Sequence, residues 1–445
     1  MKHSSIVSSL LRCLLCCNIV AALVSCVSSL LRCLLCCNIV AALVSCVSSL
    51  LRCLLCCNIV AALVSCEKDD SDFSAYDFSK YTLRSLQGDD DIDTLPDTIF
   101  MALAWDGEQV SVTGDAGDSV TIKAVGGDLT VSSTTQRYLQ LTVSGTCDDG
   151  SLLVYSDRRW GLVLNGLTLT NEDGPAINNQ CGKALYVTVA DTTENTLTDG
   201  YEYAEAPVNA LGAAIDQKGT FFSEGQVYFR GTGTLNVNGN YKNAIASDDF
   251  IIVEEEGPTM NINSEGTNGI KVNDGMTILG GVLDIFVTSD GGRGIRNEAR
   301  MTICGGEISI TTTGDCSIET VDGIADTTSC AGIKCDSLFT MTAGSLNITS
   351  TGDGGKGINC SQNVEFSGGI LYVRTMGENE MAKPKGVKSD TGIIVSGGTF
   401  DVKVNKSWAC DNGTESESIG GMLTIVGEPN IIEFDKKWVS LSYDM

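Results

Sequence analysis

The sequence predicts an all-β chain wound as a single-stranded right-handed parallel β-helix, with three short strands to each rung of about 25 residues. Three observations carry that expectation. Beyond residue 96 no usable window has helical periodicity, whereas short runs such as SVTIKAV, GTLNVNG, EISITTT and SLNITST alternate and are rich in Val, Ile and Thr. A small residue followed by Ile or Val recurs at Ile245, Ile270, Ile295, Ile333, Ile358 and Val387, at intervals of 25, 25, 38, 25 and 29. A glycine doublet, once Ala-Gly, ends at Gly281, Gly306, Gly344, Gly369, Gly398 and Gly421, at intervals of 25, 38, 25, 29 and 23. The two series stretch together, so they mark one structural repeat with local insertions. More loosely, the pattern reaches upstream through Ile177 and Ile215.

A repeat of this length without helices excludes ankyrin, TPR and HEAT arrays, and a propeller blade needs four strands and about 40 residues. No leucine-rich frame is kept. Three strands with turns fill one rung, and stacking rungs about 4.8 Å apart places equivalent residues in columns.

Taken in order along the chain, residues 7–26, 27–46 and 47–66 are three identical copies of VSSLLRCLLCCNIVAALVSC. Their apolar run ending Leu-Val-Ser-Cys resembles a bacterial lipoprotein signal, with Cys66 as the expected lipidated residue and Cys26 and Cys46 as alternatives. A transmembrane anchor is the competing reading of so long an apolar stretch. The Glu67-Lys68-Asp69-Asp70 that follows resembles the acidic export signal of Bacteroidetes surface lipoproteins, which implies the outer face of the outer membrane. Residues 67–95 read as an acidic tether. The β-helix is expected over 96–445, with a cap at about 429–445 and a 13-residue insertion around 316–330. A Cys316–Cys330 disulfide would staple that insertion, and two unpaired thiols are the equal alternative.

Composition narrows the chemistry. Lys and Arg number 29 against 56 Asp and Glu, a net charge of −27, which argues against nucleic acid as a partner. The single histidine is His3, so no histidine base, Ser-His-Asp triad or histidine-ligated metal belongs to the folded part.

With the anchor Ile facing inward, the next residue faces outward, and Lys271, Arg296, Lys334, Asn359 and Lys388 stand there. Two residues further stand Asp248, Asn273, Glu298, Asp336, Ser361 and Asp390. A cationic column beside an anionic one is either a ladder of surface ion pairs or a strip that meets the carboxylates of an acidic glycan. Lys271, Arg296, Lys334 and Lys388 are the candidate carbohydrate contacts. Between the columns and inward come Cys335 and Cys360, expected as a reduced stack in the core.

Acids also recur in the glycine-rich turns ahead of the anchors, at Glu265, Asp290, Asp315 and Asp353. Such residues make good turns, and stacked carboxylate oxygens also suit a hard cation such as Ca²⁺. Asp248, Asp249, Asp290 and Asp353 are the candidate metal ligands, with Asp274 a further one. Trp160, Trp408, Tyr241 and Tyr372 are aromatics that either pack or stack on sugar rings.

At this point the chain resembles the carbohydrate-binding-domain β-helix family, polysaccharide-lyase-like proteins. The resemblance rests on Leu164-Asn165-Gly166-Leu167, Asp173-Gly174-Pro175-Ala176-Ile177-Asn178, Glu194-Asn195-Thr196-Leu197-Thr198-Asp199, Phe222-Ser223-Glu224-Gly225 and the run from Gly239 to Asp249. It continues through the Gly-Ile and Gly-Gly rungs. The resemblance implies binding of cellulose or polygalacturonate with bound calcium. Relatives tend to carry Asp-Gly-Ile where this chain has Asn268, Arg293, Ala331 or Lys356, a departure that removes possible calcium ligands.

A non-catalytic glycan binder is therefore expected, with a calcium-dependent lyase or a surface adhesin as the alternatives. A hydrolase needs convergent carboxylates. The adjacent Asp248-Asp249 is the nearest pair, and neighbouring strand residues point to opposite faces.

Overall fold

The structure is a computed structural model that describes residues 97–444 apart from 116, 211, 322–323, 379–381 and 412–422. The triplicated leader with Cys66 and the acidic tether lie outside the described residues.

One rung shows how the sequence becomes a solenoid. Asn268–Val272 lies in the first ladder, called sheet I here; Gly275–Ile278 lies in sheet II and Val282–Val287 in sheet III. Arg293–Asn297 then returns to sheet I, parallel to Asn268–Val272 and in register with it. The third strand, VLDIFV, alternates exposed and buried along its whole length, as one solvated face requires.

The anchors line up. Leu129, Leu152, Ile177, Phe221, Ile245, Ile270, Ile295, Ile333, Ile358, Val387 and Cys410 pair successively in one column of eleven turns. Every one of these side chains is buried. Ile215, read from sequence as part of the series, belongs instead to a loop, and Phe221 holds the column position. The looser spacing upstream hid that substitution of Phe for Ile.

Both sequence markers have steric causes. The residue before each anchor is small because the facing side chain of sheet III fills the space a larger one would need. A Cβ on Gly294 would lie 2.2 Å from Ile310 Cγ2, and one on Gly357 would lie 2.2 Å from Val373 Cγ1. The second glycine of each described doublet, Gly281, Gly306, Gly344, Gly369 and Gly398, turns the chain from sheet II to sheet III with positive φ, +79° at Gly281, a conformation costly for any residue with a Cβ.

Two residues past the anchors Ile177, Phe221, Ile245, Ile295, Ile333, Ile358 and Val387 runs a buried column of small Asn, Ser and Cys side chains, several of which bond carbonyls of the adjacent corner. Ser223 Oγ donates to Gly225 O at 2.7 Å, Asn297 Nδ2 to Ala299 O at 2.8 Å and Ser389 Oγ to Gln362 O at 2.8 Å. Cys335 and Cys360 occupy this column as thiols, and Cys335 Sγ donates to Ala299 O at 3.1 Å.

Antiparallel strands close both ends of the parallel ladders. Gln109–Thr113 folds onto Ile99–Asp106 and Val120–Val125 onto Asp128–Ser133. At the other end Trp438–Ser442 runs back along Thr399–Val404 and is itself paired by Ile431–Phe434. An end closed this way does not template further parallel pairing.

Candidate functional site

The three corners of the rung differ. From sheet I to sheet II the chain turns in very few residues, as at 273–274 or 298–300. From sheet II to sheet III the glycine corner is equally short, as at 279–281 or 304–306. Between sheet III and sheet I the length varies: 265–267 in one rung, but 200–218, 313–330 and 376–384 in three others. Between Ile177 and Val387 the long segments all fall at this corner, so they rim a single edge of sheet I. Segments of this kind carry recognition more often than the scaffold beneath them.

The segment 200–218 folds over the upstream end of sheet I. Asn178 Nδ2 donates to Asp216 O at 3.0 Å, and Lys218 Nζ lies 5.5 Å from the centroid of Phe222, which is fully buried although it points away from the core. Residues 316–330 form an antiparallel hairpin, Ser317–Val321 against Ile324–Thr328. Backbone pairing closes this insertion, and of the two alternatives for Cys316 and Cys330 the structure has the unbridged one.

Along the exposed side of sheet I, the column after the anchor reads Ala246, Lys271, Arg296, Lys334, Asn359, Lys388 and Asp411, each in register with the next. The expected cationic strip is thus one physical row. It is laced to the acidic column beside it. Arg296 reaches Asp336 at 2.5 Å and Glu298 at 3.7 Å, Lys271 reaches Glu298 at 3.4 Å, Lys334 reaches Asp336 at 2.8 Å, and Lys388 reaches Asp390 at 2.6 Å. Lys334 and Arg296 hold the Asp336 carboxyl below its ordinary range against the opposing pull of its burial.

A second cationic column stands on the same face, two residues before the anchor. It reads Asn268, Arg293, Ala331, Lys356 and Lys385. Sequence reasoning met these residues only as a loss of acids; their alignment with Lys334 and Lys388 across one strand was the signal available and unused. Counted together, Lys271, Arg293, Arg296, Lys334, Lys356, Lys385 and Lys388 face Glu298, Asp336, Asp390 and Asp411 over the rungs from Ile270 to Cys410. These eleven side chains of sheet I and the corner after it sum to 7 − 4 = +3, in a chain whose net charge is −27; Asp290, Asp315 and Asp353 stand in the corner before them.

The expected metal residues do not come together as one group. Asp248 joins Asp216 and Glu224 in a set whose carboxylate oxygens lie within 4.8 Å of one another. Lys218 already bridges that set, bonding Asp216 at 2.6 Å and also Asp248. Burial, then Asp248 and Asp216, push the Glu224 carboxyl up. Asp249 accepts a bond from Gln226 Nε2 at 3.0 Å. Asp290 and Asp353 belong to a turn ladder in which each acid accepts the backbone N–H of the next rung. Asp290 accepts from Asp315 N at 2.9 Å, Asp315 from Asp353 N at 2.7 Å, and Asp353 from Glu378 N at 2.7 Å. Turn building accounts for that run of acids.

The aromatics divide by burial. Trp160 is a core residue whose Nε1 donates to Asn179 Oδ1 at 3.1 Å, so it offers no stacking surface. Trp408 is covered by Lys436, 4.4 Å from its ring centroid. Tyr241 and Tyr372 are exposed, Tyr241 leaning on Tyr203 with centroids 4.9 Å apart.

Comparison with known proteins bears on this geometry. A family model described as carbohydrate-binding domain-containing protein matches residues 125–293 and 286–379. A carbohydrate-binding domain-containing protein of Acetivibrio thermocellus is 31% identical over 112 residues, 24% of this chain and 37% of the relative's own length. A polysaccharide lyase-like protein from C. thermocellum, solved as a gadolinium derivative, overlays 60% of this chain and 97% of its own at 22% identity with a TM-score of 0.47.

Proposed function

The chain belongs to the carbohydrate-binding domain-containing family, and from that premise we propose that it is a non-catalytic glycan-binding protein that lays an acidic polysaccharide, of the pectin or polygalacturonate type, along sheet I. One observation carries the reading: seven cations gathered over consecutive rungs of the one face that the insertions rim, in an otherwise acidic chain. Cations in two columns, repeating at the rung spacing, match a ligand that repeats its carboxylates along its length. The carboxylates that pair with them keep the row extended and are displaced by the ligand's own.

Calcium is the proposed assistant, and Asp216, Glu224 and Asp248 are the residues that would hold it. Their oxygen-only donor set fits a hard cation, and Lys218 would have to swing away. The leader motif supports an anchor at Cys66 that holds the protein on the cell surface. Replacing Cys66 with Ala should then move the protein from the membrane fraction to the medium.

Pull-down on polygalacturonate, its methyl ester and cellulose tests the reading. Retention on polygalacturonate alone, weakening as salt rises, is expected. Equal retention on the uncharged ester, or none on any of the three, contradicts it. A rise in ultraviolet absorbance from unsaturated products would make the protein a lyase.

A further inference from the structure

Within the cationic face one lysine stands apart. Lys271, Arg296, Lys334, Lys385 and Lys388 each have a carboxylate partner. Lys356 has none among the described residues; its Nζ donates to Ser329 Oγ at 2.5 Å, and Ser329 belongs to the insertion that rims the face. Lys385 lies in register with Lys356 on the next rung. Three residues along the strand, Asn359 lies in register between Lys334 and Lys388. The Asn359 side chain makes no hydrogen bond among the described residues.

A half-buried ammonium without a counter-ion is costly unless something else supplies the charge. We propose that Lys356, with Lys334, Lys388 and Asn359, forms a subsite for the carboxylate of one uronate unit. This rests on the reading of sheet I as the glycan-binding face and names where on it the chain grips charge directly. The uronate carboxylate accepts from Lys356 Nζ, replaces the missing counter-ion, and takes a further bond from the Asn359 amide.

The surroundings give the subsite a pH signature. Burial first, then Lys388, Lys385 and Lys334, push Lys356 down to about 8. Around it stand the thiols Cys330, which burial pushes up to about 11 and so keeps neutral, and Cys316, with Asp315 and Asp353 beside Cys316. Asp336, Asp390 and Asp411 are engaged by Lys334, Lys388 and Lys385. A bound carboxylate favours the charged lysine, so affinity is full below pH 8 and falls as pH rises past it, with a proton taken up on binding near that pH. Because the unfolded lysine keeps its proton to higher pH, Lys356 lowers stability at neutral pH, and the cost fades as pH rises.

The test is calorimetric titration of the full chain with an oligogalacturonate and with its methyl ester, at pH 7 and 9 and in two buffers of different ionisation enthalpy. Lys356→Met should weaken the acidic ligand at least about tenfold at pH 7, since one bond to a charged group exceeds a tenfold step. The same variant should melt no lower than wild type. Lys356→Arg should keep its affinity at pH 9, where that of wild type is weakened, and Lys403→Met, on sheet III, should leave binding unchanged. Lys356→Met binding like wild type, with no proton uptake near pH 8, overturns the subsite while leaving the face reading intact. Wild type that binds neither ligand overturns both.

Discussion

Two stretches of sheet I share a backbone and differ in charge. At the rungs of Phe221 and Ile245 the outward position after the anchor holds Phe222 and Ala246, both buried, and the acids Asp216, Glu224 and Asp248 have only Lys218 among them. From Ile270 to Val387 the same position holds Lys271, Arg296, Lys334, Asn359 and Lys388, and each acid beside it is answered. The anchors are equally buried in both stretches. The inward column therefore sets the fold, and the outward columns are free to make one end of the face acidic and the other basic.

The shared inward column carries the largest expected effect. Ile295→Ala and Phe221→Ala should each cost about 2–5 kcal/mol, one in each stretch, because both empty a fully packed position. Gly294→Ala should cost about 1–3 kcal/mol by forcing a Cβ against Ile310. Denaturant titration reads all three; a loss confined to one stretch would break the idea of a common scaffold.

Smaller effects separate the stretches. In the basic one, Asp336→Asn releases Arg296 and Lys334, and it should strengthen polygalacturonate binding a few-fold while costing under about 1 kcal/mol. The Asp336 carboxyl is held below its ordinary value, so its contribution is present above that value and lost as pH falls through the folded one. Wild type should therefore lose stability in acid more steeply than the variant. In the acidic stretch the sign reverses. Glu224 is pushed up, so its ionisation costs stability as pH rises through the ordinary glutamate range, and Glu224→Gln should raise the melting temperature slightly at pH 7 and not at pH 3. Added Ca²⁺ should raise the melting temperature of wild type and lose that effect in Glu224→Gln; an unmoved wild-type melt removes calcium from the acidic stretch.

Periodicity made the fold legible. The twin series of anchors and glycine doublets reports steric facts about the interior, a Cβ that would strike Ile310 and a turn that needs positive φ at Gly281, and such facts recur at every rung. The first cationic column was legible for the same reason. Less could be read where the repeat loosens: Ile215 satisfies the pattern, yet the segment that holds it leaves the rung and covers Phe222. Trp160 reads alike whether buried or exposed, because burial is decided by neighbours a rung away. The second column, Arg293, Lys356 and Lys385, was visible in the sequence but became a site only once register set it beside Lys334 and Lys388.

Reversing three charges in one row tests the central claim most directly. With Lys271, Arg296 and Lys334 all replaced by Glu, polygalacturonate affinity should collapse while the melting temperature stays within a few degrees of wild type. An affinity equal to wild type in a folded triple variant would leave the basic stretch of sheet I a set of surface ion pairs and nothing more.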